Sequence, residues 1–264
     1  MISVTNEHTE MSSIETDKIR RTVHKIPVES FEQRPGVVMR RPFPTWEQTS
    51  LDPFALLDDF SVHLPGGFPR HPHMGFEKVT YIVEGALQHE DSTGGTGVIR
   101  AGGVHRMTAG RHIYHSEMPV GREMTRGIQL WVNLPRRMKQ AQPSSHAVQS
   151  DELPTVSFTG GQMKVIVGSG SPVSLHTSMV FYDVSFDDDA VAHVPIPNDY
   201  STAFIYPIDG PGCRVQNERL QVGEMGELSA EGDLELCGET GFRALVIAGK
   251  PHHAPIHVFG PYVE

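Results

Sequence analysis

His71-Pro72-His73-Met74-Gly75-Phe76-Glu77-Lys78-Val79-Thr80-Tyr81-Ile82-Val83-Glu84-Gly85 is the stretch that decides how this chain is read. From Lys78 to Val83 it is rich in β-branched and aromatic residues, and it stops at a Glu-Gly turn, which predicts a strand. The two histidines at its head stand at i and i+2, a spacing that puts both imidazoles on one face of extended chain. Further along, His115-Ser116-Glu117 offers an imidazole and a carboxylate in the same relation. The interval leaves room for several strands to fold back and bring the clusters together. Three histidines and a glutamate suit Fe(II), Mn(II), Ni(II), Cu(II) or Zn(II), with coordination positions left for chemistry. The expected setting is the inside of an all-β barrel.

Outward from this stretch, strand signals dominate. Asp91 to Gly95 reads as a hairpin tip, Val98 to Arg100 as a strand, and Gly127 to Leu134 alternates until Pro135 ends it. In the second half, residues 163–167, 179–186, 203–208, 234–237 and 242–248 read as strands. Leu51 to Phe60 is expected to carry a short helical turn after Asp52-Pro53, because proline suits a first helical position. The 26 glycines and 20 prolines punctuate many short elements, a pattern of barrels or sandwiches. Ile205-Tyr206-Pro207-Ile208-Asp209-Gly210 loosely repeats Tyr81-Ile82-Val83-Glu84-Gly85, and Gln140 to His146 reads as a polar linker. The expected organisation is a mobile tail over 1–20, a metal-binding barrel over 21–140 and a second barrel over 141–264. That second half lacks the metal clusters: only His193 stands before its Ile205-Tyr206 strand. His252, His253 and His257 read as surface residues.

A net charge of −10 and a pI near 5.8 argue against nucleic acid or an anionic membrane as the main partner. The basic cluster Arg136, Arg137 and Lys139 reads as a solvated turn. Cys213 and Cys237 form no framework of disulfides, and a reducing compartment is expected. Without an apolar leader or a membrane-length apolar run, the expectation is a cytoplasmic, soluble chain.

The run from His71 to Tyr81 with Glu84-Gly85 resembles the pirin branch of the cupins. So do Met107-Thr108-Ala109-Gly110, His115-Ser116-Glu117-Met118-Pro119, Asp52-Pro53-Phe54, Gln129-Leu130-Trp131-Val132-Asn133-Leu134-Pro135 and Gly260-Pro261. The likeness is dense over 36–135 and thin beyond. It implies a bicupin, two jelly-roll-like β-barrels facing each other, with one metal site in the first. The implied ligands are His71, His73, His115 and Glu117. Fe(II) is the first expectation for the metal, with Mn, Ni, Cu, Co or Zn as alternatives. The resemblance further implies one of two functions. One is a dioxygenase that opens a flavonol such as quercetin with O2 and releases carbon monoxide. The other is a non-enzymatic, iron-dependent, redox-responsive regulator that binds a protein partner. A third option is isomerase-like or hydrolytic metal chemistry. The chain is expected to act as a monomer. It departs from the family pattern at Met74, where arginine is common, at His105-Arg106, where Gln-Trp is common, and at His112, where glycine is common.

On the dioxygenase reading, the metal acidifies a flavonol 3-hydroxyl, and Glu117 swings off the metal to take the proton as general base. Glu77 is expected either to orient a histidine or to stand as a strand-face carboxylate. His112 is expected in a surface loop. Phe76, Trp131, Met107 and Met118 are expected mainly in the core.

Overall fold

Each half of the chain builds one large and one small antiparallel sheet. In this computed structural model residues 19–264 are described. The expected tail therefore lies outside the description, apart from Ile19 and Arg20. Arg20 belongs to no free end: its fully buried guanidinium donates to the carbonyls of Gly232, Ser229 and Tyr200.

The first large sheet has seven strands in the order Ser144–Val148, Val104–Thr108, Phe76–Glu84, Thr125–Asn133, Phe54–Val62, Val37–Phe43 and Glu29–Arg34. Its small sheet runs Phe68–His73, Ile113–Pro119, Ala86–Asp91 and Thr96–Arg100. The second large sheet runs Thr22–Pro27, Glu224–Leu228, Thr202–Asp209, Arg243–Gly249, Met179–Phe186, Gly161–Val167 and Thr155–Phe158. Its small sheet runs Ala190–Val194, Leu234–Gly238, Cys213–Val215 and Glu218–Leu220. The fold is thus all-β, with two cupin barrels. Edge strands cross the division expected near residue 140: Thr22–Pro27 closes the second large sheet, and Ser144–Val148, within and beyond the expected linker, closes the first. Pairing these edges satisfies backbone groups that would otherwise stand open.

Residues 51–60 form no helical turn. Phe54–Val62 is a strand, hydrogen-bonded to Val37–Phe43 on one side and Thr125–Asn133 on the other. It is buried along nearly its whole length, Asp58 and Asp59 included, so polar and apolar residues do not alternate regularly along it and period does not separate strand from helix.

The large sheets face each other across one shared core. Val79, Tyr81, Leu57 and Leu130 of the first barrel join Phe181, Phe204, Tyr206 and Leu245 of the second. Phe204 meets Phe43 and Phe54 edge-on at 5.7 and 5.5 Å. Two reciprocal polar clasps lie in this interface. The Tyr81 hydroxyl donates to Asp183 at 2.6 Å, and Arg243 also holds Asp183. The Tyr206 hydroxyl donates to Asp59 at 3.1 Å, and Arg126 also holds Asp59. These partners occupy corresponding strands of the two barrels, so the loose repeat around Tyr81 and Tyr206 has a structural counterpart.

Candidate metal centre

Alternation along Phe76–Glu84 sorts its residues between two environments. Glu77, Val79 and Tyr81 face the other barrel, whereas Phe76, Lys78, Thr80 and Ile82 face inward. The small sheet supplies the opposite wall. On it, His115 lies across from His71 on one neighbour and Asp91 on the other, and Glu117 lies across from His89. Directly opposed residues bring their Cβ atoms to about 5 Å, so the register alone gathers these side chains.

Three of the four expected ligands converge. His71 Nε2 lies 3.0 Å from His73 Nε2 and 3.1 Å from His115 Nε2. His73 and His115 are buried and His71 is half-buried. The outer nitrogens fix the tautomers: His71 Nδ1 is 2.8 Å from the Pro69 carbonyl, and His73 Nδ1 is 3.0 Å from the Pro261 carbonyl. A carbonyl only accepts, so each Nδ1 carries the proton and each Nε2 presents a lone pair. Burial keeps the rings neutral, lowering His71, pulling His73 down to about 3 and His115 lower still. Facing lone pairs at this separation repel one another unless a cation sits among them, so the donor set fits a divalent metal. Hydrogen bonds from the far nitrogens to carbonyls are how metal-binding imidazoles are commonly oriented.

The Pro261 contact depends on Gly75. The C-terminal hairpin of Val258–Phe259 and Tyr262–Val263 lies against Met74, with Val263 N–H donating to the Met74 carbonyl at 3.0 Å. Gly75 has φ +85°, and a Cβ there would run into the Val263 carbonyl oxygen. Glycine therefore meets both demands of the turn. Phe76 and Trp131, stacked at 4.1 Å, pack against the His73 ring from 5.0 Å each and hold it from behind.

Glu117 stands apart from the three imidazoles and is engaged elsewhere. Its Oε2 accepts from Lys78 Nζ at 2.7 Å and Gln129 Nε2 at 3.5 Å, and its Oε1 accepts from the Thr80 hydroxyl at 3.2 Å. Lys78 and Glu117 are both buried. Burial would raise the Glu117 carboxyl, but the Lys78 ammonium and the nearby His105 bring it down to about 2. Burial lowers Lys78, against the pull of Glu117. Lys78 Nζ is also 3.3 Å from His115 Nε2, so its charge opposes a metal cation there. Lys78, His89 and His105 went unassigned in the reading of the motifs. The signal was present in the alternation: Lys78 and Thr80 continue the inward face of Phe76, and His105 pairs across from Thr80.

The remaining candidates sort clearly. Glu77 accepts from the backbone N–H groups of His176 and Thr177 at 2.8 and 3.4 Å and from the Thr108 hydroxyl at 2.9 Å, tying the second half of the chain to the first. Burial raises its carboxyl. His112 is exposed and packs edge-on against Tyr114 at 4.6 Å. Arg136 and Arg137 are exposed in a short 3-10 turn. Lys139, expected beside them in solvent, donates instead to the Gly75 and Val263 carbonyls and to Asn133. Met74, His252 and Lys139 help line a cavity of about 570 Å³ under the C-terminal segment. No helix of the described residues is long and apolar enough to cross a membrane.

Comparison with known proteins agrees with this architecture. The Pirin family model matches residues 36–132, and the model of the pirin C-terminal cupin domain matches residues 181–264. A pirin-like protein of Solanum lycopersicum is 35% identical, with 96% of this chain and 89% of that protein covered. A Pseudomonas aeruginosa protein provisionally named quercetin 2,3-dioxygenase is 38% identical, covering 80% of each chain. Among solved structures, a quercetin 2,3-dioxygenase from Acinetobacter baumannii superposes with TM-score 0.84 at 26% identity, covering 93% of this chain and 92% of that one. An Escherichia coli pirin in complex with nickel(II) shares the fold at TM-score 0.74 and 17% identity, covering 86% of this chain and 99% of its own. With the two family models matching one cupin barrel each, over most of the chain together, and a relative that similar over nearly its whole length, this chain belongs to the pirin family.

Proposed function

We propose that this protein is a metal-dependent dioxygenase that opens the ring of a flavonol such as quercetin with O2, working as a monomer in the cytoplasm. The observation that carries the reading is the convergence of the His71, His73 and His115 Nε2 atoms, with two of the tautomers set by carbonyls. These three imidazoles hold the metal, for which Fe(II) is the best-suited candidate, and Glu117 is the adjoining carboxylate. When bound, the metal supplies a Lewis acid with open coordination positions. Relatives named as quercetin 2,3-dioxygenases support the substrate class.

The chain's own groups shape the rest. His71, the half-buried member, marks the open side of the site. Lys78 holds a buried positive charge beside His115, which favours the anionic form of an acidic hydroxyl. Glu117 Oε1, which carries only the Thr80 hydroxyl, is the oxygen free to take the proton. Lys78 on Oε2 weakens it as a base, so proton uptake is tied to how closely the ammonium stays.

Metal content and O2 uptake with quercetin, measured for Fe(II)-loaded wild type beside His73→Ala, test the proposal. Uptake that disappears with the histidine is expected. Bound iron with no uptake would overturn the dioxygenase reading in favour of a redox-responsive, protein-binding role. Glu117→Gln is expected to keep iron and lose turnover, and retention of both would remove Glu117 from the chemistry.

A further inference from the structure

We infer that His89, His105 and Glu117 form a second divalent-cation site, distinct from the His71, His73 and His115 cluster and built into the same barrel. One ligand atom from each of the three lies within 4.8 Å of the others, and all three residues are buried. The His89 and His105 rings approach to 3.6 Å between centroids at 39°. His105 Nδ1 is 4.0 Å from Glu117 Oε1.

A second observation comes from the unsatisfied nitrogens. His89 Nδ1 and both ring nitrogens of His105 are buried and have no hydrogen-bond partner. Buried polar atoms rarely go without one, and a buried nitrogen left so is destabilising. His89 is also oriented for a metal. Its Nε2 lies 2.8 Å from Asp91 Oδ2, and Asp91 is held as an acceptor by Ser145 and Thr93. Asp91 accepts the hydrogen bond from His89 Nε2–H, which leaves Nδ1, buried and without a partner, as the nitrogen that carries the lone pair. A carboxylate behind a metal-binding imidazole is a recurrent arrangement.

Glu117 has an oxygen to spare. Lys78 and Gln129 engage Oε2, whereas Oε1 accepts only from the Thr80 hydroxyl and points at His105. A cation on Oε1 therefore leaves the Lys78 contact in place. Two imidazoles and one carboxylate select borderline divalent ions such as Zn(II), Co(II), Ni(II) or Fe(II) over Mg(II) and Ca(II).

The site is tested apart from the dioxygenase reading, but a cation on Glu117 Oε1 would occupy the oxygen which that reading uses as the base, so the two roles exclude each other. The test is a Co(II) titration of chelator-treated full-length protein, followed by visible absorption and by metal analysis after gel filtration. Wild type is compared with His105→Gln, His89→Gln and His73→Ala, and far-ultraviolet circular dichroism checks that each folds. The expected result is a Co(II) equivalent that is lost in both His105→Gln and His89→Gln and retained in His73→Ala. Should all bound Co(II) survive His105→Gln, or should every variant lose it together, there is no separate second site. If wild type binds only the equivalent that depends on His105 and His89, the second site stands and the imidazole cluster of the proposed enzyme fails.

Discussion

The two barrels share a topology and differ in what fills them. In the second, the strands of the small sheet turn Ala192, Val194, Leu234, Leu236, Cys213 and Val215 into one apolar core with Val246 and Phe242. In the first, the corresponding strands carry His73, His115, Glu117 and His89, and the apolar residues within the barrel fall into smaller groups around them. The same jelly-roll layout therefore tolerates either a dry interior or one lined with imidazoles, a carboxylate and an ammonium. The polar barrel costs more to close, since each buried charge or imidazole must find a partner or a metal. The apolar barrel and the shared interface supply the uninterrupted burial.

The sharpest way to break this comparison is to remove one charge from the polar interior. Lys78→Met leaves an ionised Glu117 buried without its partner and is expected to destabilise the apoprotein by about 3–5 kcal/mol. Urea denaturation measures the loss, and Lys78→Met/Glu117→Gln should recover most of it. Isothermal titration should show Lys78→Met binding Co(II) at the imidazole cluster more tightly, because the opposing ammonium is gone. If Lys78→Met is as stable as wild type, the pair does not hold the barrel together.

Acid should act on the first barrel. Burial depresses His73 from 6.5 to about 3, so the unfolded chain binds its proton more readily than the folded one. Stability is then fully present above about pH 6.5 and falls progressively as the pH drops towards 3. The urea midpoint of the metal-free protein should follow that slope, and His73→Gln should flatten it. An unchanged slope in that variant would place the acid sensitivity elsewhere.

The interface clasps sharpen the comparison, because there the two barrels should behave alike. Tyr81→Phe and Tyr206→Phe each remove a hydrogen bond to a buried carboxylate, and each should cost about 1.5–3 kcal/mol in urea denaturation. A large inequality between them would mean that the reciprocity is geometric and not energetic. The smallest effect belongs to His193, on the strand of the second barrel that corresponds to Phe68–His73. It is exposed beside Glu235 at 3.7 Å, and His193→Ala should shift stability by less than about 1 kcal/mol and leave metal content unchanged.

Much of this was legible in the chain. Strand-forming runs closed by glycine turns determined an all-β architecture of two similar halves, because alternation and turn chemistry are local properties. The i, i+2 spacing of His71-Pro72-His73 placed two imidazoles on one face for the same reason. The pirin-like motifs pointed to His115 and Glu117. The edge exchange of Thr22–Pro27 and Ser144–Val148 was not legible, since partner choice in a sheet is non-local. The strand at Phe54–Val62 was missed because burial on both faces erases its period.

The division of labour around Glu117 was decided only by the tertiary structure. Sequence placed it with three histidines, while cross-strand register set it opposite His89 and alternation brought Lys78 onto the same interior face. Lys78 and His105 lie within or beside the quoted motifs and His89 outside them, and the chemistry of all three appears only when the sheets close. Spacing along one strand fixes which side chains share a face. Closure of the barrel fixes which faces meet, and with that which carboxylate answers which cation.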